Sequence, residues 1–391
     1  MQQRPSFFIL LFLVSFASVG AVLFTPALPS IASFFQVSAG KVQLTMTSFL
    51  LGYAFGQLPY GPLANRFGRK VTLYIGISLA ILGSLLCAFS SPLDSFELLV
   101  FARFLQALGA SVGLKVSFTM IADVYSQTEA TKMLSGMMIA FAVMPGIAIA
   151  IGGWLTQLFN WESCFYFLVL FGIFILWIST KLPETAKSLD HHALNISSIT
   201  AGYAEAFKNK LLVISGLIMG CCTATIYVFA SKAPFIGISL IGLSPDVFGN
   251  YNLIPPVGML LGALVSAKIV GKFSLLRILF AAAATSLIVA FTMLIPFLVG
   301  KINPTVLFFP MLLIYFAQAL ILANASSYGL ANAKNKSNGS AVMNFVNLST
   351  SVAAVLLLEF IYPESAILMP LSFMIFSFIA LLLWFKLKKA L

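Results

Sequence analysis

Few side chains in this 391-residue sequence combine in a way that could do chemistry, and most of those that do sit in apolar surroundings. Arg103, Gln106, Ala110, Gly113 and Ser117 fall on one face of a helix at about 100° per residue, drawing a polar stripe headed by a cation. A charge inside an apolar segment is costly and marks a solute or ion path unless backbone carbonyls absorb it, and the functional reading is the stronger of the two. Lys115 lies about 120° round the same helix; its long stem serves either the stripe or a snorkelling path to the nearer surface. Among the acids, Asp123 closes this segment, and Glu359 stands late in another apolar run at a depth similar to Lys232. Lys232 and Glu359 are therefore a candidate pair and gate, the alternative being two interfacial charges that each meet water. The adjacent His191 and His192 lie in a polar connector near Glu184, Asp190 and Glu205, without a Ser/His/Asp order, an HExxH motif or a phosphate-binding loop. Cys87, Cys164, Cys221 and Cys222 lack metal-ligand or disulfide spacing. No enzyme, metal or cofactor is expected.

The elements that must carry these residues follow from composition. The chain is 60% hydrophobic and 8% charged, where a soluble domain carries roughly a quarter charged residues. With about 20 residues per bilayer crossing, about twelve crossings leave room only for short connectors. Apolar runs predict spans at 7–33, 43–64, 71–90, 96–122, 131–157, 162–181, 210–237, 246–268, 275–299, 305–330, 337–361 and 364–385. The first run resembles a signal peptide in its opening residues, but it continues apolar to Phe35 and is read as a span. The net charge of +11 forms no basic stripe, so nucleic acid is excluded as a partner. It reports topology instead: with the N-terminus inside, seventeen Lys and Arg fall in cytoplasmic segments and three outside (Lys41, Lys232 and Lys301). An even number of spans with both termini cytoplasmic follows.

The polar stretch Pro183 to Lys210 divides the runs six and six, predicting bundles over 1–182 and 210–391 joined by a linker over 183–209. An echo supports duplication. Gly61-Pro-Leu-Ala-Asn65-Arg66-Phe-Gly68-Arg69-Lys70 follows span two, and Gly262 to Lys268 with Gly271-Lys272 follows span eight.

Gly61 to Lys70 and Arg103-Phe-Leu-Gln106-Ala-Leu-Gly109 resemble the second- and fourth-span signatures of the major facilitator superfamily. Pro26-Ala-Leu-Pro29, Met120-Ile-Ala-Asp123, Pro145 with Gly152-Gly153, and Ala233-Pro234-Phe235 are similar to its Bcr/CflA-type drug-resistance branch. The resemblance implies an all-α integral membrane fold of twelve transmembrane helices in two pseudo-symmetric six-helix halves, working as a monomer in the cytoplasmic membrane. It also implies that spans one, four, seven and ten line the cavity, with Thr25, Arg103, Gln106, Lys115, Thr225, Tyr227, Tyr315, Gln318 and Asn324 as candidate substrate contacts. Gly61, Asn65, Arg66, Gly68, Arg69 and Lys70, with the bend residues Pro145 and Gly152, become candidate gating residues.

Two positions depart from the pattern. Asn65 stands where the family carries an acid, so it can cap a helix but supplies no charge. Val22 stands where the drug-resistance branch carries its span-one acid, leaving Asp123, Lys232 and Glu359 as coupling candidates. A cavity with Arg103 and no central carboxylate favours neutral or anionic amphiphiles over lipophilic cations. The expected function is proton-coupled export of such molecules by alternating access. Uptake or facilitated diffusion of an organic solute or siderophore is the alternative within transport, and a transport-inactive sensor or scaffold is the alternative outside it.

Overall fold

The computed structural model describes residues 4–186, 188–190, 193–331, 333, 336–361 and 365–389, except some side chains within 127–142, those of residues 196, 198 and 337, and those of 359–361. Lys187, His191, His192, Lys334 and the side chains of Lys132 and Glu359 lie outside the described residues. Everything regular among the described residues is helical.

Ten helical segments are long and apolar enough to cross a membrane: Phe7–Phe34, Arg69–Phe89, Phe96–Val124, Glu162–Ser179, Lys210–Leu240, Pro245–Ile269, Leu275–Leu298, Pro304–Ala331, Asn338–Leu358 and Leu368–Lys389. They are predicted spans one, three, four and six to twelve. Span two is also helical but broken, into Leu44–Gly56 and Tyr60–Phe67, because Pro59 and Pro62 withhold N–H donors. Span five is the 32-residue helix Gln127–Leu158, opened by a capping box between Ser126 and Glu129; its described apolar part is Val143–Leu158. Among the described residues the linker holds one helix, Ile196–Lys208, started by the Asn195 side chain.

The pairing of helices repeats with an offset of six. Spans two and four, three and four, three and six, and one and five pack in the first half. Eight and ten, nine and ten, nine and twelve, and seven and eleven pack in the second. Spans five and eight, and two and eleven, join the halves. Side chains such as Leu170, Ile288 and Phe378 project outward with more than half their surface bare, as hydrocarbon-facing positions require and a water-soluble surface would not.

Candidate functional site

The centre of the molecule is built around an interruption in span one. Its helix runs Phe7–Val22 and ends because Pro26 has no N–H to offer the Val22 carbonyl. The Thr25 hydroxyl donates to that carbonyl at 2.8 Å, and a short 3-10 turn, Thr25–Ala27, leads into Leu28–Phe34. A helix end leaves carbonyls without intrahelical donors and favours a cation. Arg103 of span four supplies both, donating to Gly20 O at 2.8 Å, Ala21 O at 3.2 Å and Thr45 O of span two at 3.4 Å. It also donates to Gln106 Oε1, and Gln106 Nε2 donates to Ser84 Oγ of span three at 2.7 Å. The guanidinium lies between the faces of Phe24 and Phe49, 4.1 and 4.2 Å from their centroids. Arg103 is wholly buried. One side chain thus ties spans one, two and four together and, through Gln106, span three. This is the carbonyl-bonding geometry of the alternative reading, held in the position of the functional one.

The second half brings aromatic hydroxyls to the same place. Tyr227 of span seven lies within electrostatic reach of Arg103, of Tyr53 in span two and of Tyr315 in span ten. Tyr315 packs edge-on against Phe229, 6.4 Å between centroids. Arg103, Gln106, Tyr227 and Tyr315 are therefore gathered from the sequence candidates, with Tyr53 added. Thr225 and Gln318 are not part of this group. They line a small cavity inside the second half with Ser286 and Ser377, whose hydroxyls are 2.9 Å apart. Asn324 joins span ten to span eight through Ser266 Oγ at 3.0 Å. Lys115 is half-buried, and its Cε lies beside Gly61, which fits the snorkelling path.

At the end carrying the Gly61–Lys70 motif, called here the basic end, the candidate gate is a closed polar cluster. Gly68 adopts φ +89°, a backbone conformation open to glycine but strained for other residues, and turns the chain into span three. The Glu184 carboxylate accepts the Arg69 and Lys70 backbone N–H groups, each at 3.0 Å, capping that helix. Asp123 receives Arg69 through Nε at 2.9 Å and Nη2 at 3.3 Å, and the Thr185 hydroxyl at 2.9 Å. Asn65 Oδ1 accepts from Arg69 at 3.4 Å, and its carbonyl accepts from Asp190 N. The Arg66 guanidinium lies 5.9 Å from the Phe67 ring, and Lys70 Nζ donates to Thr180 O. Burial works to raise the Glu184 pKa, but the N–H donors of Ala186, Lys70, Arg69 and Thr185 outweigh it and hold the carboxyl below its ordinary value. With its pKa depressed on folding, Glu184 contributes its stabilisation above the ordinary carboxylate pKa and loses it as pH falls through the lower folded value. At neutral pH the cap is charged, so it holds the motif rather than carrying a proton.

The opposite end is sealed by close approach of backbones. A Cβ on Gly152 would meet the Leu23 carbonyl of span one, within the first half. A Cβ on Gly153 would meet the Pro245 carbonyl and Gly249 Cα, across the halves. Trp154 Nε1 donates to Asn250 Oδ1 at 3.3 Å along the same seam. Pro145 lies within the long span-five helix, one residue before Gly146, where a Cβ would meet Pro256 of span eight. Lys232 is buried near this end of span seven, and its suggested partner Glu359 has no described side chain.

The family model described as Major Facilitator Superfamily matches residues 9–358. The chain belongs to the major facilitator superfamily. Over 70% of its length it is 31% identical to the uncharacterized MFS-type transporter YdgK of Bacillus subtilis, covering 69% of that protein. It is 26% identical to a bicyclomycin resistance protein homolog of Haemophilus influenzae, over 70% of this chain and 69% of the other. With multidrug resistance protein D of Escherichia coli it shares 27% identity over 84% and 82% of the two chains. The fold matches a D-xylose-proton symporter structure at TM-score 0.77 and 16% identity, over 97% and 96% of the two chains.

As a superfamily transporter, the protein has a centre that is positive and carboxylate-free among its described residues. Val22, at the position of the branch's acid, is buried, and its carbonyl is occupied by Thr25. Reading the sequence by motif missed Glu184 as the cap of span three, because its two donors lie more than a hundred residues earlier. It also missed Tyr53, which has the residue type of the central group but sits on a span not assigned to the cavity.

Proposed function

We propose that this transporter exports neutral or acidic amphiphilic molecules across the cytoplasmic membrane by alternating access, driven by the proton gradient. The two bundles over 1–182 and 210–391, linked by 183–209, rock about the centre where Arg103 meets Tyr227, with both termini and the basic end in the cytoplasm. One chain suffices. The names of the resistance proteins it resembles support drug or metabolite efflux as the direction.

The observation that carries this reading is the buried Arg103, with no carboxylate at its depth among the described residues, beside Tyr227, which in turn lies within reach of Tyr53 and Tyr315. A cation with no carboxylate at its depth repels a permanent cation and attracts an anion, while Tyr53, Tyr227 and Tyr315 offer hydroxyls and ring faces to an apolar body. Substrate binding completes the charge balance that Val22 leaves open. Lys232 and Glu359 act as the outer gate pair, and Asp123 answers to Arg69 in the inner one.

Inside-out vesicles containing the protein test the charge argument. A phenicol-like neutral drug and a carboxylate-bearing amphiphile are expected to accumulate at least about tenfold above empty vesicles, and a quaternary ammonium of the same size is not. Protein-dependent transport of the quaternary ammonium equal to that of the neutral drug would overturn the reading.

Val22 favours a second reading, facilitated diffusion or uptake, in which Arg103 binds an anionic solute with no proton exchanged. The sensor reading draws on Asn65 at a usually acidic position, and ligand binding without flux in reconstituted vesicles would support it.

A further inference from the structure

The loop between spans eight and nine repeats the turn between spans two and three but lacks its carboxylate. In the first half Gly68 takes φ +89° and Glu184 caps the first turn of the following helix. In the second half Gly271 takes φ +87°, Ser274 begins span nine without a side-chain cap, and the first turn holds no acid. Lys268, Lys272 and Arg277 surround this turn and are exposed. Among the described residues none of the three has an ion-pair partner, whereas Arg69 of the first half is held by Asp123.

Beside these cations a groove of about 380 Å³ opens on the outer surface of the bundle. Its walls are Ile269 at the end of span eight, Phe273 of the loop, Arg277, Ala281 and Thr285 of span nine, and Phe316 of span ten. From Arg277 at the mouth to Thr285 the groove follows span nine for about 12 Å, at 1.5 Å per residue. It has a cationic mouth at the depth of lipid headgroups and an apolar body reaching toward the hydrocarbon, and basic pockets of this form between helices take anionic headgroups.

We propose that this groove binds one anionic phospholipid. Its phosphate sits at the start of span nine among Lys268, Lys272 and Arg277, in the place Glu184 holds at the start of span three. One acyl chain lies along Ala281, Thr285 and Phe316. The lipid supplies the negative charge that this turn lacks and pins the loop that must move when that half rocks. Naming the leaflet as the inner one rests on the orientation proposed above; the binding itself does not.

Native mass spectrometry of the purified full chain in detergent, titrated with phosphatidylglycerol or with phosphatidylcholine of the same acyl chains, tests this. One phosphatidylglycerol is expected to be retained at least about tenfold more tightly than phosphatidylcholine. The K268Q/K272Q/R277Q variant is expected to lose that preference. Thr285→Phe, which fills the groove and leaves the charges in place, is expected to lose the bound lipid. Preference unchanged in both variants would overturn the site, as would complete displacement of the lipid by inorganic phosphate, which would make it a free-phosphate site. Transport does not enter this readout, so its failure and the failure of the exporter reading are separate results.

Discussion

Replacing Arg103 with alanine is expected to abolish transport and to destabilise the first half by about 3 kcal/mol. The Gly20 and Ala21 carbonyls and Gln106 Oε1 would lose their donor, and each buried acceptor left unpaired costs about 1–3 kcal/mol. Part of that is offset because a charge is no longer buried. Lysine separates the structural role from the electrostatic one. Arg103→Lys keeps the charge but presents a single ammonium, which cannot reach span one, Thr45 and Gln106 together. It should slow transport about tenfold while keeping the preference for anionic over cationic substrates. Arg103→Gln should lose that preference. Thermal unfolding of the detergent-solubilised protein and vesicle transport measure the two effects. Stability and flux of Arg103→Ala both at wild-type levels would show that the clamp does not hold span one.

The second large effect is expected at adjacent glycines that face different neighbours. Gly153→Val drives side-chain atoms against Pro245 and Gly249 of span eight, so it opposes closure of the seam between halves. Overpacking costs about 1–3 kcal/mol, and 1.4 kcal/mol already shifts a two-state population tenfold. Transport should fall at least about tenfold with the protein still folded, trapped with the end opposite the motif open. Gly152→Val instead strikes the Leu23 carbonyl within the first half, so it should lower stability. A membrane-impermeant maleimide reads the difference at Asn252→Cys, a position buried near the seam, since the four native cysteines are buried. Labelling should be faster in the Gly153→Val background than in the parent. Equal labelling would show that spans five and eight do not form the seal.

The membrane fold was legible because the bilayer imposes a length on every apolar run, and the charges between runs order them. The broken spans were less so. Pro26 and Pro29 mark the break in span one, yet nothing in that run reveals that Arg103, about eighty positions later, satisfies the freed carbonyls. Helical periodicity placed Arg103 and Gln106 on one face, where they bond, because both belong to the helix Phe96–Ala110, whereas Ser117 lies in the separate helix Val112–Val124. It could not tell Tyr227, which meets Arg103, from Thr225, two positions earlier, which turns into the second half's own packing. The same blindness to partners across the fold hid Glu184. Its role appears only when the linker folds back on the start of span three.

The central claim is coupled alternating access without a span-one carboxylate. It is tested most directly in proteoliposomes loaded with a pH-sensitive dye, with a neutral substrate present at equal concentration on both sides and the pH gradient imposed in either direction. The account predicts net substrate flux opposite to the proton flux, reversal of that flux when the gradient is reversed, and a change in internal pH on substrate addition that Asp123→Asn or Glu359→Gln abolishes. Flux that follows only the substrate gradient, with the internal pH unmoved in every case, would contradict it and make the protein a facilitator.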